Sequence, residues 1–258
     1  MAQFDPSVPS IARIYDYFLG GKDNFAADRA QAEQTLAYNP LIPVMARENR
    51  QFLARAVGWA AGQGVDQFVD LGCGMPTVPN THESARAVIP GATVAYVDND
   101  PVVIGHLSAL VAKGNPGIAV LAGDVREPEP ILAGVAETID LARPACLILG
   151  ALLHFSAPDA AQALVARYAA ALAAGSYLVV SVAHAESSGA QEGYGQYSQN
   201  VAAVYNHSAA DLARFLGPLE LVPPGVVDVR RWHPFLGQPA ATAPRPGYVL
   251  GAVARVTR

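Results

Sequence analysis

Apolar residues recur at a helical interval from the start of the chain: Ile11, Ile14, Tyr15, Phe18 and Leu19 share one face, and Gly20-Gly21 ends the run. A second helical pattern covers residues 43–61, with Val44, Phe52 and Val57 among its apolar positions, before Gly62 and Gly64 interrupt it. The first 64 residues therefore read as helical and precede any strand. From residue 67 the texture changes. Short β-rich runs at 68–69, 93–97, 118–122, 145–149 and 177–183 alternate with helical segments, the signature of a parallel sheet with crossover helices. Two of those helices carry start signals, Ser156 with Asp159 and Ser208 with Asp211, and Gly175 and Gly217 stop them.

Near the C-terminus, residues 219–222 and 226–229 read as one strand, followed by a loop through Pro234, Pro239, Pro244 and Pro246 and a final strand at 248–256. No helix lies between those strands, which predicts an antiparallel closing pair. The pattern as a whole divides into a helical extension, residues 1–64, and an α/β core, residues 65–258.

Composition narrows the functional classes. Hydrophobic residues make up 52% of the chain and charged residues 15%, and no apolar run approaches the ~18 residues that span a bilayer. The first residues lack the pattern of a secretion signal, so the cytoplasm is the expected compartment. Net charge is −5 and the basic residues are dispersed, which argues against a nucleic-acid face and for a small-molecule partner. Cys73 and Cys146 match no metal-ligand spacing, and neither a disulfide nor a bound metal is expected.

The chemistry concentrates at strand ends. Phe68-Val69-Asp70-Leu71-Gly72-Cys73-Gly74 is a strand that ends in an acid and enters a Gly-x-Gly turn, where the backbone bends sharply and a ligand can approach. Asp98 closes the next strand, 24 residues beyond Gly74, where a carboxylate accepts ribose hydroxyls. Asp124 follows the third strand, suited to an adenine amino group, with the Val125 amide beside it. A dinucleotide site calls for a third glycine at the position of Thr77, and the loop runs on through Val78 to Glu83 before a helix is expected. The ligand is thus read as a nucleoside without a diphosphate, and Asp70 as the partner of its cationic group.

Asp70-x-Gly72-x-Gly74, Asp98 and Gly123-Asp124 resemble the cofactor motifs of class I S-adenosylmethionine-dependent methyltransferases. The segments Ala12 to Phe25, Leu71 to Thr77, Asn80 to Glu83 and Tyr96 to Pro101 further resemble an actinobacterial methyltransferase family long catalogued as a domain of unknown function. The resemblance spans essentially the whole chain. It implies a Rossmann-like, mostly parallel seven-stranded sheet with an antiparallel last strand, S-adenosylmethionine as cofactor, and no settled acceptor. The candidate cofactor residues are Tyr15, Gly21 and Asn24 on the N-terminal segment, read as a lid, with Asp70, Gly72, Cys73, Gly74, Thr77, Asp98, Asn99, Asp124, Val125 and Gly150.

Methyl transfer from sulfonium is an in-line displacement that needs a base only if the acceptor is protonated. His154, past the fourth strand, and His184, past the fifth, are the candidates. Arg47 and Arg50, together with Tyr194 and Tyr197 in a polar loop at 187–198, are the candidates for binding the acceptor. Two other functions remain open at this point: a non-catalytic sensor of S-adenosylmethionine or its demethylated product, and a nicotinamide-dependent reductase.

Overall fold

The computed structural model describes residues 4–232, 245 and 247–258, so the loop prolines Pro234, Pro239, Pro244 and Pro246 lie outside the described residues. Three helices come first: α1 (Ile11–Leu19), α2 (Ala26–Tyr38) and α3 (Ile42–Gly62). The core then alternates β1 (Gln67–Leu71), α4 (Thr81–Arg86), β2 (Thr93–Asp98), α5 (Pro101–His106), β3 (Ile118–Ala122), α6 (Pro128–Val135), β4 (Cys146–Leu149), α7 (Pro158–Ala170) and β5 (Tyr177–Ala185). It closes with α8 (Ser188–Asn200), α9 (Ala209–Phe215), β6 (Glu220–Leu221), β7 (Val227–Asp228) and β8 (Gly247–Arg255).

The strand order is β3-β2-β1-β4-β5-β8-β6, with β7 also paired to β8. β1 to β5 are parallel, and β8 runs antiparallel to β5 and to the short strands on its other side. Eight strands thus stand where seven were expected, because one edge position is split. β6 pairs with Arg255 and Ala254, β7 with Gly251 and Leu250. Pro223-Pro224 lies between them, and proline has no N–H to continue a ladder.

Side chains alternate across the sheet and build two cores. On one face Leu71, Val97, Leu149 and Val180 pack against Ile131 of α6, Val165 and Tyr168 of α7, and Phe215 of α9. On the other, Phe68, Tyr96, Ile148 and Val179 meet Phe52 and Val57 of α3 and Val103 of α5. A third cluster unites Ile14 and Phe18 of α1, Ala32 of α2, Ala46 of α3 and Tyr197 of α8. This third cluster forms a cap at one end of the sheet, while most of α3 belongs to the sheet's own layer.

Three local expectations change. The stretch at 187–198 is a helix, α8, started by Ser187, whose hydroxyl accepts the Ala190 amide at 3.2 Å. Gly193 lets α8 lie against α2, since a Cβ there would come within 2.8 Å of the Tyr38 Cβ. Ser156 does not cap α7, which begins at Pro158 behind Ala157; proline's missing N–H suits a first helical turn. Finally, α4 already starts at Thr81, with the Asn80 amide donating to Glu83 at 2.6 Å, whereas the Ser208-Asp211 box forms as expected. Among the described residues no helix is long and apolar enough to cross a membrane.

Candidate functional site

The carboxyl ends of β1 to β5 open on a cavity of about 800 Å³, roofed by α1, the start of α3 and α8. That size lies within the range of small-molecule and cofactor sites. Gly72 and Gly74 turn the chain out of β1 with φ of +62° and +69°, a region open chiefly to glycine. A Cβ built on Gly74 meets nothing within 4 Å, so the turn presents bare backbone to open space.

Two buried carboxylates face this space. Asp98, 6% exposed, accepts the Gly74 amide at 2.9 Å and the Asp100 amide at 2.9 Å. Among the described residues no cation pairs with it, and burial pushes its pKa up to about 6. Asp70 accepts the Thr81 hydroxyl at 2.5 Å, and burial raises it as well, with Arg50 acting in the opposite sense. The Cys73 thiol between them is raised by burial and by both carboxylates. A carboxylate that is buried without a cation calls for donors from a ligand; ribose hydroxyls at Asp98 and an ammonium at Asp70 meet that demand. The residues present fit S-adenosylmethionine.

Of the remaining cofactor candidates, Tyr15, Asn99, Val125 and Gly150 line the cavity. The Tyr15 hydroxyl donates to the Ala46 carbonyl at 3.1 Å and accepts from Asn49 at 3.0 Å, so it faces α3. Asp124 lines the cavity too, but its carboxylate is forked onto Arg126, with Nε at 2.9 Å, and that pairing lowers its pKa. Gly21 and Asn24 are not on the cavity wall. Asn24 donates to Asp16 at 2.8 Å and to the Gly21 carbonyl at 3.1 Å, a turn-stabilising role. Thr77 is also off the wall; its carbonyl accepts from Arg50 at 3.1 Å.

The acceptor candidates divide similarly. Arg50, Tyr194, Tyr197, His154 and His184 line the cavity, whereas Arg47 sits on the exposed side of α3 away from it. The Tyr194 hydroxyl is buried with no hydrogen-bond partner among the described residues. His154 occupies a 3-10 turn, Leu153–Phe155, and its Nδ1 accepts the Ala183 amide at 3.4 Å. Burial, reinforced by His207, holds its pKa down to about 3. His184 has the reverse orientation: Nδ1 donates to the His207 carbonyl at 2.8 Å, and Nε2 lies 3.5 Å from Glu186.

Sequence reading missed the group that fastens the cap. Arg13, 3% exposed, donates to Asp28 from Nε and to Asp100 from Nη1, both at 2.8 Å, and to the Val8 carbonyl at 2.7 Å. The Ser10 hydroxyl also donates to Asp100. Nothing local marks Arg13 as buried, because its partners lie 15 and 87 residues away. Asn49 was missed as well; its Oδ1 accepts the Ser181 hydroxyl at 2.7 Å, which in turn accepts the Ala151 amide at 2.9 Å. Ala151 stands at φ +53°, rare for a residue with a Cβ.

A mostly parallel sheet with an antiparallel last strand is also the fold of solved S-adenosylmethionine-dependent methyltransferases. Human N-acetylserotonin methyltransferase, crystallised with that cofactor, shares the fold at 15% identity with a TM-score of 0.51, over 98% of this chain and 64% of that chain. Much nearer is a Thermobifida fusca protein provisionally called a methyltransferase, 40% identical with a TM-score of 0.90 over 98% of this chain and 96% of that one. A DUF574 family protein of Streptomyces avermitilis is 36% identical with a TM-score of 0.91, over 98% and 99% respectively. The profile of the family described as S-adenosyl methyltransferase matches residues 1–257, and the chain belongs to that family of enzymes. No protein of curated function matches it.

Proposed function

We propose that the protein methylates a small, largely apolar acceptor inside the capped cavity, and that it works in the cytoplasm without nucleic acid as a partner. The observation that carries this reading is the continuity of one cavity from the buried acids Asp70 and Asp98 to an apolar chamber walled by Ile14, Phe18, Phe155 and Tyr197. S-adenosylmethionine, when bound, supplies an electrophilic methyl group on sulfonium. Asp98 holds the ribose hydroxyls, Asp70 the ammonium, and the Gly72 to Gly74 turn lets the nucleoside lie against backbone. The cap formed by α1, α2 and α8 excludes water and positions the acceptor, which is much of what an in-line displacement requires.

The two histidines then have different roles. With Nδ1 turned to the Ala183 amide, neutral His154 carries its proton on Nε2 and serves as a donor that orients an acceptor oxygen or nitrogen. His184 donates from Nδ1, which leaves the Nε2 lone pair for a proton, the tautomer a general base needs. A panel of small hydroxyl and amine acceptors, scored by release of S-adenosylhomocysteine, tests this. With an acceptor in hand, His184→Ala should lower turnover by about a hundred- to ten-thousandfold. Unchanged turnover in both His184→Ala and His154→Ala would mean that transfer runs on positioning alone.

A further inference from the structure

We infer that Arg50 is the seat of the methionine carboxylate of S-adenosylmethionine, forming with Asp70 a paired clamp for the two ends of the cofactor's amino-acid zwitterion. This rests on the cofactor reading above and reassigns Arg50 from the acceptor to the cofactor.

In nucleotide folds the amides of a Gly-rich turn commonly receive an anion. Here those of Gly72, Cys73, Gly74 and Thr77 are already committed, and Met75 does not line the cavity. The Gly72 and Cys73 amides both donate to the Val97 carbonyl, at 2.8 and 3.2 Å. The Gly74 amide donates to Asp98 at 2.9 Å, and the Thr77 amide to the Asn80 side chain at 3.1 Å. An anion beside Asp70 therefore needs a cation. Among the described residues that line the cavity, the arginines are Arg50 and Arg126, and there is no lysine. Arg126 is forked onto Asp124 beyond β3. Since β3 lies two strands from β1, that end is ~10 Å away along the sheet.

Arg50 is built for the task. It projects from α3 to the wall that carries Asp70, and its charge acts on Asp70 and Cys73 alike. Its contacts to the Thr77 carbonyl at 3.1 Å and the Pro79 carbonyl at 3.4 Å are both made by Nη2. That anchors Nη2, which both forking edges of a guanidinium share, to the loop, and leaves Nε and Nη1 as separate donors that a carboxylate can take one at a time beside the fixed positive charge. The loop that replaces the third glycine thus supplies carbonyls that aim an arginine, where a glycine turn would have supplied amides.

Calorimetric titration with two ligands isolates the contact: S-adenosylhomocysteine, which carries the amino-acid group, and methylthioadenosine, which lacks it. Arg50→Gln should weaken S-adenosylhomocysteine by about ten- to a hundredfold while methylthioadenosine stays within about twofold. Equal losses for both ligands would reduce Arg50 to a brace for the loop, and no loss for either would put the carboxylate elsewhere; each overturns the assignment. If Arg50→Gln fails to fold, Arg50→Lys serves, since lysine keeps the charge but cannot hold the loop carbonyls and present further N–H donors at once, and should again weaken only the ligand with the carboxylate. A wild-type protein that binds neither ligand overturns the cofactor reading, and this assignment with it. A wild-type protein that binds both equally well overturns the clamp alone.

Discussion

Asp98 and Asp100 stand two residues apart at the end of the same strand, each 6% exposed, yet the protein treats them oppositely. Asp100 receives Arg13 at 2.8 Å, the Val102 amide at 2.8 Å and the Ser10 hydroxyl. Through Arg13 it is joined to Asp28, which also takes the Ser10 and Phe25 amides at 2.8 Å each. Asp98 receives two backbone amides and no cation among the described residues. One buried acid is satisfied internally and fastens the cap to the sheet. The other is left wanting donors, and it faces the cavity. A buried charge that the fold does not compensate marks where a ligand completes the structure.

The largest consequence falls on the compensated side. Arg13→Gln leaves Asp28 and Asp100 buried without their shared cation, and removing one partner of a buried pair costs about 3–5 kcal/mol. Urea unfolding should show this loss directly. A change under about 1 kcal/mol would mean that the triad is as weak as a surface pair.

On the uncompensated side the effects separate. Asp98→Asn should weaken binding of S-adenosylhomocysteine by about ten- to a hundredfold, equivalent to ~1.5–3 kcal/mol. It should not lower the Tm of the unliganded protein, because it removes a charge that burial disfavours. A variant that loses stability and affinity together would erase the contrast between the two aspartates.

The pH dependence sharpens the same point. The folded pKa of Asp98, about 6, stands above its unfolded value. The folded state therefore retains a proton between roughly pH 4 and 6, and this group's contribution to the stability of the free protein declines as pH rises through that window. Affinity for the nucleoside should move the other way, rising through the same window as the ionised carboxylate forms and levelling off above it. Calorimetry from about pH 4 to 8 checks the sign. The smallest effect is expected at Tyr194, whose hydroxyl is buried without a partner among the described residues. Tyr194→Phe should change stability by less than about 0.5 kcal/mol, while KM for an acceptor that bonds this hydroxyl rises.

How far the sequence reveals these features depends on whether their cause is local. The strands of the parallel sheet are apolar on both faces and announce themselves, and Asp70, Gly72, Gly74 and Asp98 follow at their ends. The helix α2 has almost no apolar stripe, and what folds it is a set of distant contacts, Asp28 with Arg13 and Gln31 with Gln196. The glycines of α8 read as a loop, yet the helix forms because Ala190, Gly193 and Tyr197 find a buried face. Asn24 and Gly21 looked like lid residues because the motif around them is distinctive. The distinctiveness belongs to the turn itself, which closes around Asp16: a Cβ on Gly21 would come within 1.9 Å of that side chain. Arg50 was legible as a candidate for binding but not in its orientation, since that depends on a loop 27 residues away.

A crystal structure of the protein with S-adenosylhomocysteine tests the central claim most directly. The account predicts ribose hydroxyls on Asp98, the ammonium at Asp70, and the sulfur directed toward the chamber walled by Phe18, Phe155 and Tyr197. A nucleoside bound away from Asp98, with that carboxylate still lacking any donor but its two backbone amides, would contradict it.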